Sequence, residues 1–188
     1  MSHQTIPLKR RPLDIAILGF FLVNLLFITY VVDLEQLVIP DPAHFTYPLW
    51  PPRPAVDLIH WYGRTFDPVL IARPVWWKMT IVIDNVLFGP FYLFAIYAFI
   101  KGKSWIRIPG IWYSAMLFTN VVIILAEERF GPYAAPHFPI VLLLNLPWLL
   151  FPLVITARLA RSAEPFTETL AASAATAAAL PPQPLVAH

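Results

Sequence analysis

The sequence predicts an all-α membrane protein: a four-transmembrane-helix bundle with a proline- and aromatic-rich non-cytoplasmic loop between its first two helices. Three observations lead there. Hydrophobic types make up 59% of the 188 residues and charged ones only 13%, about half the charged share of an ordinary soluble domain. The mean hydropathy is +0.66. Uncharged apolar runs of the ~20 residues needed to cross a bilayer occur four times. A single soluble core cannot hide so much apolar surface, and the composition equally excludes a disordered chain. The absence of cysteine excludes disulfides, iron–sulfur clusters, thiolate zinc and cysteine nucleophiles. A net charge of +2 with no basic stripe offers nucleic acid no footing.

Residues 1–12 are a basic arm carrying Lys9, Arg10 and Arg11. The first apolar run, Ile15 to Val32, lies between Asp14 and Asp33. It is longer than a signal-peptide core and ends without a small-residue cleavage site. The loop from Asp33 to Val75 holds Pro40, Pro42, Pro48, Pro51, Pro52, Pro54, Pro68 and Pro74 beside Phe45, Tyr47, Trp50, Trp61, Tyr62 and Phe66. Within it, Val56, Ile59, Tyr62 and Phe66 recur at helical spacing, which predicts a short interfacial helix capping the bundle. The second run, Met79 to Ile100, is broken only by Asp84. The third spans Ile108 to Ala126, and the fourth begins near Phe138, after Pro136. None alternates with period two, so strands are a poor alternative. Trp76, Trp77 and Trp105 mark the interfaces. Lys9, Arg10, Arg11, Lys101, Lys103, Arg107, Arg158 and Arg161 fall on one side, against Arg53, Arg64, Arg73 and Arg129 on the other. The excess places both termini in the cytoplasm. Residues 13–160 form the membrane domain, and the Ala-rich tail 161–188, which has no amphipathic stripe, is expected to be disordered.

Polar groups inside hydrocarbon need a partner, water or a purpose. At 1.5 Å per residue, Asp84 lies roughly 8 Å below Met79, Asn120 about 9 Å below Ala126 and Asn145 roughly 10 Å below Phe138. Three helices thus bring polar side chains to one level, with Asp33, Glu127 and Glu128 crowding the outer mouth. Trp148 shares a helix face with Asn145. Pro90, Pro147 and Pro152 each remove a backbone hydrogen bond, and the bends leave room for a chamber lined by Phe88, Phe91, Tyr92, Trp148 and Phe151. An apolar chamber with a few convergent polar groups suits a lipophilic small molecule. Plainer readings stay open: Asn120 and Asn145 as interhelical glue, Trp148 as packing, Glu127 and Glu128 as solvated helix end. The histidines match no metal spacing and read as loop residues, so no metal site or cofactor is expected.

The chain resembles the EXPERA family of four-helix membrane proteins over roughly Leu13 to Ala160. The resemblance is carried by Trp61-Tyr62, Phe66-Asp67-Pro68-Val69-Leu70, Pro74-Val75-Trp76-Trp77-Lys78, Tyr97-Ala98-Phe99-Ile100-Lys101-Gly102, Trp105-Ile106-Arg107-Ile108-Pro109 and Tyr113-Ser114. These stretches are similar to the sigma-2 receptor branch of the family. That likeness implies that Asp33 pairs with a ligand's ammonium, that Asp67 supports it by hydrogen bonding, that Asp84 stands where the branch has an intramembrane glutamate, and that Tyr113 belongs to the site. Asn145-Leu146-Pro147-Trp148 with Pro152 resembles instead the sterol Δ8–Δ7 isomerase branch (emopamil-binding protein), where the indole faces a developing carbocation. Glu127-Glu128-Arg129 is similar to the third loop of that enzyme. Its helix-one histidine and glutamate fall near Phe20 and Asn24, which cannot transfer protons.

Two functions follow from this resemblance. The first is a binder of sterol-like lipids or lipophilic amines, with Asp33, Asp67, Asp84, Asn120, Tyr113 and Trp148 at the ligand. The second is a carbocation-type isomerase, cyclase or epoxide-opening enzyme acting on a terpenoid, sterol or polyene. In that case the acids would be Asp33, Asp84 or Glu127, with Asp84 as general acid or base, Asn145 orienting it and Trp148 stabilising the cation. The partners expected are a lipophilic small molecule and membrane lipid, with no nucleic acid; a homodimer is compatible with these residues but not read from them. The family resemblance implies the endoplasmic reticulum. Ligand identity stays open.

Overall fold

The computed structural model describes residues 3–169. Four of its helices are long and apolar enough to cross a membrane: α1 (Pro12–Val38), α4 (Val75–Lys101), α5 (Ser104–Phe130) and α6 (Phe138–Ala160). Between α1 and α4 lie α2 (Arg53–Thr65) and the single turn α3 (Val69–Ala72). Leu26, Val86, Leu93, Trp112 and Leu143 are each more than half exposed on the outer faces of the long helices. Such a surface is at ease only against lipid.

The first three spans are longer than the apolar runs that announce them. Asp14 and Asp33, read as boundaries, lie inside α1 because their charge is turned inward. Asp14 is fully buried and accepts from Arg11 at 2.8 Å and from Arg158 at 2.8 and 2.9 Å. A buried carboxylate with two guanidinium partners meets the condition under which a charge tolerates burial.

Two stretches depart from α-helical winding. Asn24–Asp33 in α1 and Asp84–Phe88 in α4 are π-helical, with the wider i→i+5 spacing that recurs at functional sites. Pro90 follows the second and has no N–H to offer the Val86 carbonyl. The two stretches meet at Gly89, where an added Cβ would collide with the Tyr30 hydroxyl and crowd Thr29.

The interior is built from two apolar clusters. The larger joins Ile17, Phe21, Phe88, Tyr92, Phe99, Tyr113 and Leu159. The smaller, under the capping loop, joins Ile59, Val69, Leu70, Trp77 and Ile81. Phe91, Tyr92 and Phe151, expected to line a chamber, are packing residues of the larger cluster. Phe91 stacks on Tyr113 at 4.4 Å, Phe151 stacks on Phe20 at 4.5 Å, and Tyr92 is fully buried.

The expected interfacial helix is α2, whose Val56 and Ile59 are buried. His60, read as a loop residue, is also buried there. Its Nε2 lies 2.8 Å from Glu35, and the Arg73 guanidinium donates to both Glu35 oxygens at 2.9 and 2.8 Å. Arg73 further donates to the Leu70 and Ile39 carbonyls and holds a left-handed φ of 47°. This buried triad fastens the cap to the end of α1.

At the opposite end, β1 (His3–Thr5) pairs antiparallel with β2 (Thr167–Thr169). Phe166 is fully buried, with the Arg11 and Arg158 guanidiniums 5.1 and 5.2 Å from its ring centre. The expectation of disorder from residue 161 onward is thus corrected for 161–169, because an aromatic anchor and a strand pair fix that stretch. Its remainder lies outside the described residues.

Candidate functional site

Between the two clusters the helices leave a cavity of about 390 Å³. Every long helix contributes to its wall: Asp33 and Gln36 from α1, Trp77, Ile81 and Asp84 from α4, Asn120, Val121 and Glu128 from α5, Asn145 and Trp148 from α6. The capping segment adds Tyr62, Asp67 and Leu70. Phe27 and Leu144 line it as well and are about half exposed on the outside, at 47% and 51%. These two side chains thus stand between the cavity and the outer surface. Its lining holds four carboxyl groups and no lysine, arginine or histidine.

The carboxyls occur as two facing pairs. Asp33 and Asp84 are within hydrogen-bonding range of each other, an approach that two carboxyl groups make only with a proton between them. Asp84 is held by hydroxyl donors as well: Thr29 to one oxygen and Tyr92, at 3.4 Å, to the other. The Tyr113 hydroxyl donates to that of Tyr92 at 3.2 Å. The second pair is Asp67 and Glu128. Apart from this mutual approach, neither Glu128 oxygen and not the Oδ1 of Asp67 has a hydrogen-bond partner among the described residues. Burial pushes the Asp67 carboxyl up to about 6, while Glu128 and the Val69 N–H pull it partway back. Burial also raises Tyr62, and the neighbouring Asp67 and Glu128 raise it further.

Asp33, Asp67, Asp84, Asn120, Asn145 and Trp148 all line this one cavity. Within it Asp84 faces Asp33, and Asp67 faces Glu128. Two expected residues lie outside the cavity. Tyr113 does not line the cavity; it is buried behind it and reaches Asp84 only through Tyr92. Glu127 lies outside as well, folded over Gly131 and accepting from the Tyr133 N–H at 3.3 Å.

Sequence reasoning missed the group that orients Trp148. Its indole N–H donates to Asn24 Oδ1 at 2.8 Å, and Asn24 is itself held by the Phe20 carbonyl at 2.8 Å. An amide in the middle of the first apolar run was the available signal. Asn145 donates to the Val141 carbonyl at 3.0 Å within its own helix. The Trp77 indole donates to Gln36 Oε1, closing the upper wall.

Residues 54–159 match the model of the EBP family, described as EXPERA, the expanded EBP superfamily. Among curated relatives, Sigma intracellular receptor 2 of Xenopus tropicalis is 39% identical over 108 residues, covering 56% of this chain and 58% of that protein. The Macaca fascicularis protein of the same name is 33% identical over 131 residues, covering 69% of each chain. The Homo sapiens protein is 33% identical over 120 residues, covering 63% of this chain and 64% of its own. Two of these three relatives are thus matched over less than two thirds of their length. The family match takes in the capping segment and all three helices that follow it, and on that ground this four-helix integral membrane protein belongs to the EXPERA family.

Proposed function

We propose that the protein binds sterol-like lipids and lipophilic amines in this cavity, with Asp33 as counter-ion and Asp84 as its proton-sharing support. The observation that carries the reading is an apolar cavity containing four carboxyl groups and no basic side chain. Acids buried without a cation are costly, and a ligand ammonium supplies what the lining lacks. The relatives, named as receptors, favour the same reading. Asp33→Asn removes a charge-assisted hydrogen bond, worth about 1.5–3 kcal/mol, and lowers amine affinity at least about tenfold. Titration of a lipophilic tertiary amine into full-length protein in nanodiscs measures this, with a thermal melt to establish that the variant folds. Undiminished affinity in a folded Asp33→Asn protein contradicts the assignment.

A carbocation-type isomerase, cyclase or epoxide-opening enzyme is favoured by one specific arrangement: Trp148 and Asn145 share the cavity with Asp84. Incubation with sterols and polyenes in deuterated water separates the two readings, since only the enzyme incorporates solvent deuterium or opens an epoxide. The count of basic residues supports cytoplasmic termini, and the family resemblance supports the endoplasmic reticulum. Glycosylation-site mapping tests the first and fractionation the second.

A further inference from the structure

The amine reading depends on how Asp33 meets Asp84, and the two acids belong to different helices. Each lies on a π-helical stretch, Asn24–Asp33 of α1 and Asp84–Phe88 of α4. Such winding is rare, and in α4 it leaves a backbone group unmatched. The Gly89 N–H donates to the Asp84 carbonyl, five residues back. Pro90, five residues after Asn85, has no N–H to give. The carbonyl of the buried Asn85 is supplied by neither, and a buried carbonyl needs a donor from elsewhere.

Tyr30 is that donor. Its hydroxyl reaches across from the π-helical stretch of α1 and donates to the Asn85 carbonyl at 3.4 Å. Gly89 makes the approach possible, since a Cβ there would collide with the same hydroxyl. The Tyr30 backbone is fixed in turn: its carbonyl accepts from the Trp50 indole N–H of the capping segment at 2.7 Å. Tyr30 stands three residues before Asp33, and Asn85 directly follows Asp84. Thr29, next to Tyr30, donates to Asp84 as well. The Tyr30 hydroxyl therefore ties together the two turns that carry the acids, without itself lining the cavity.

We propose that Tyr30 is a positioning residue of the amine site: it pins the π-helical turn of α4 to that of α1 and thereby sets the approach of Asp33 to Asp84. The proposal deepens the amine-binding reading and rests on it. Two carboxyl groups share a proton only while their oxygens stay within hydrogen-bonding range, and a displacement of about 1 Å is enough to lose it. A hydroxyl that holds the two turns in register thus acts on the ligand's ammonium through the acids, with no contact of its own.

The test compares wild type, Tyr30→Phe and Gly89→Ala as full-length proteins in nanodiscs, with thermal melts to establish folding. Tyr30→Phe removes only the hydroxyl, and Gly89→Ala displaces it from the other side. Each variant is expected to bind a lipophilic tertiary amine about three- to tenfold more weakly, the equivalent of one hydrogen bond. Affinity for the isosteric hydrocarbon, with carbon in place of nitrogen, is expected to stay unchanged, because only the carboxyl pair has moved. A second readout needs no ligand: the carboxyl infrared band of the Asp33–Asp84 pair, assigned by its loss in Asp84→Asn, is expected to shift in both variants. Undiminished amine affinity in folded Tyr30→Phe and Gly89→Ala proteins overturns the proposal. So does an equal loss for amine and hydrocarbon, which a general distortion of the cavity would produce. If wild type binds no amine, the amine reading falls; a shifted band then upholds the positioning role by itself, and an unshifted band overturns that too.

Discussion

At the scale of single residues, two neighbours on α5 show how a site is decided. Glu127 and Glu128 are indistinguishable by composition, yet only Glu128 lines the cavity. It lies four residues after Ile124 and seven after Val121, within the stripe of lining residues, whereas Glu127 is turned about 100° away at 3.6 residues per turn. That phase was legible in the sequence once Val121 and Ile124 were known to face inward. The pairing of Asp67 with Glu128 was not legible, since it depends on where the capping loop sets Asp67. Asp67 also carries a pH prediction. Its folded value of about 6, against an ordinary 3.8, means that the folded protein holds this proton more tightly than the unfolded chain does. Stability from this group is complete below about pH 4 and is lost as pH rises through about 6, by about 3 kcal/mol in total. Asp67→Asn is expected to flatten that fall, leaving the variant more stable than wild type at neutral pH in thermal melts across this range. A wild-type melting profile that rises between about pH 4 and pH 7 relative to the variant would contradict the assignment.

At the scale of elements, the long helices and α2 were legible because each is announced by a periodic or continuous apolar run. Their ends were not, because Asp14 and Asp33 look like boundaries until their partners are seen. Arg158 lies 144 positions from Asp14, a separation that no local pattern encodes. Nor do the π-helical stretches leave a compositional mark; only Pro90 hints at one of them. Yet those stretches carry both Asp33 and Asp84, and the wider winding aims the two acids at each other. The cap depends on Glu35, His60 and Arg73. Arg73→Ala leaves the Glu35 charge buried beside His60 alone and is expected to cost about 3–5 kcal/mol. A melting temperature unchanged in this variant would show that the triad is not what holds the cap.

At the scale of the whole molecule, the two ends of the bundle are closed by buried ion pairs, Arg11–Asp14–Arg158 at one and Glu35–Arg73 with His60 at the other. Four acids without basic partners among the described residues lie between them, in the cavity. Charge is neutralised within the protein where rigidity is needed and left unmatched where a ligand can supply its counterpart. The sequence displayed the inventory of acids but not this division, which rests on contacts between residues far apart in the chain. The central claim is that the cavity recognises positive charge rather than apolar bulk. Its most direct measurement is the affinity of full-length protein in nanodiscs for a lipophilic tertiary amine and for the isosteric hydrocarbon with carbon in place of nitrogen. The account predicts that the amine binds at least about tenfold more tightly, and equal affinity for the two would contradict it.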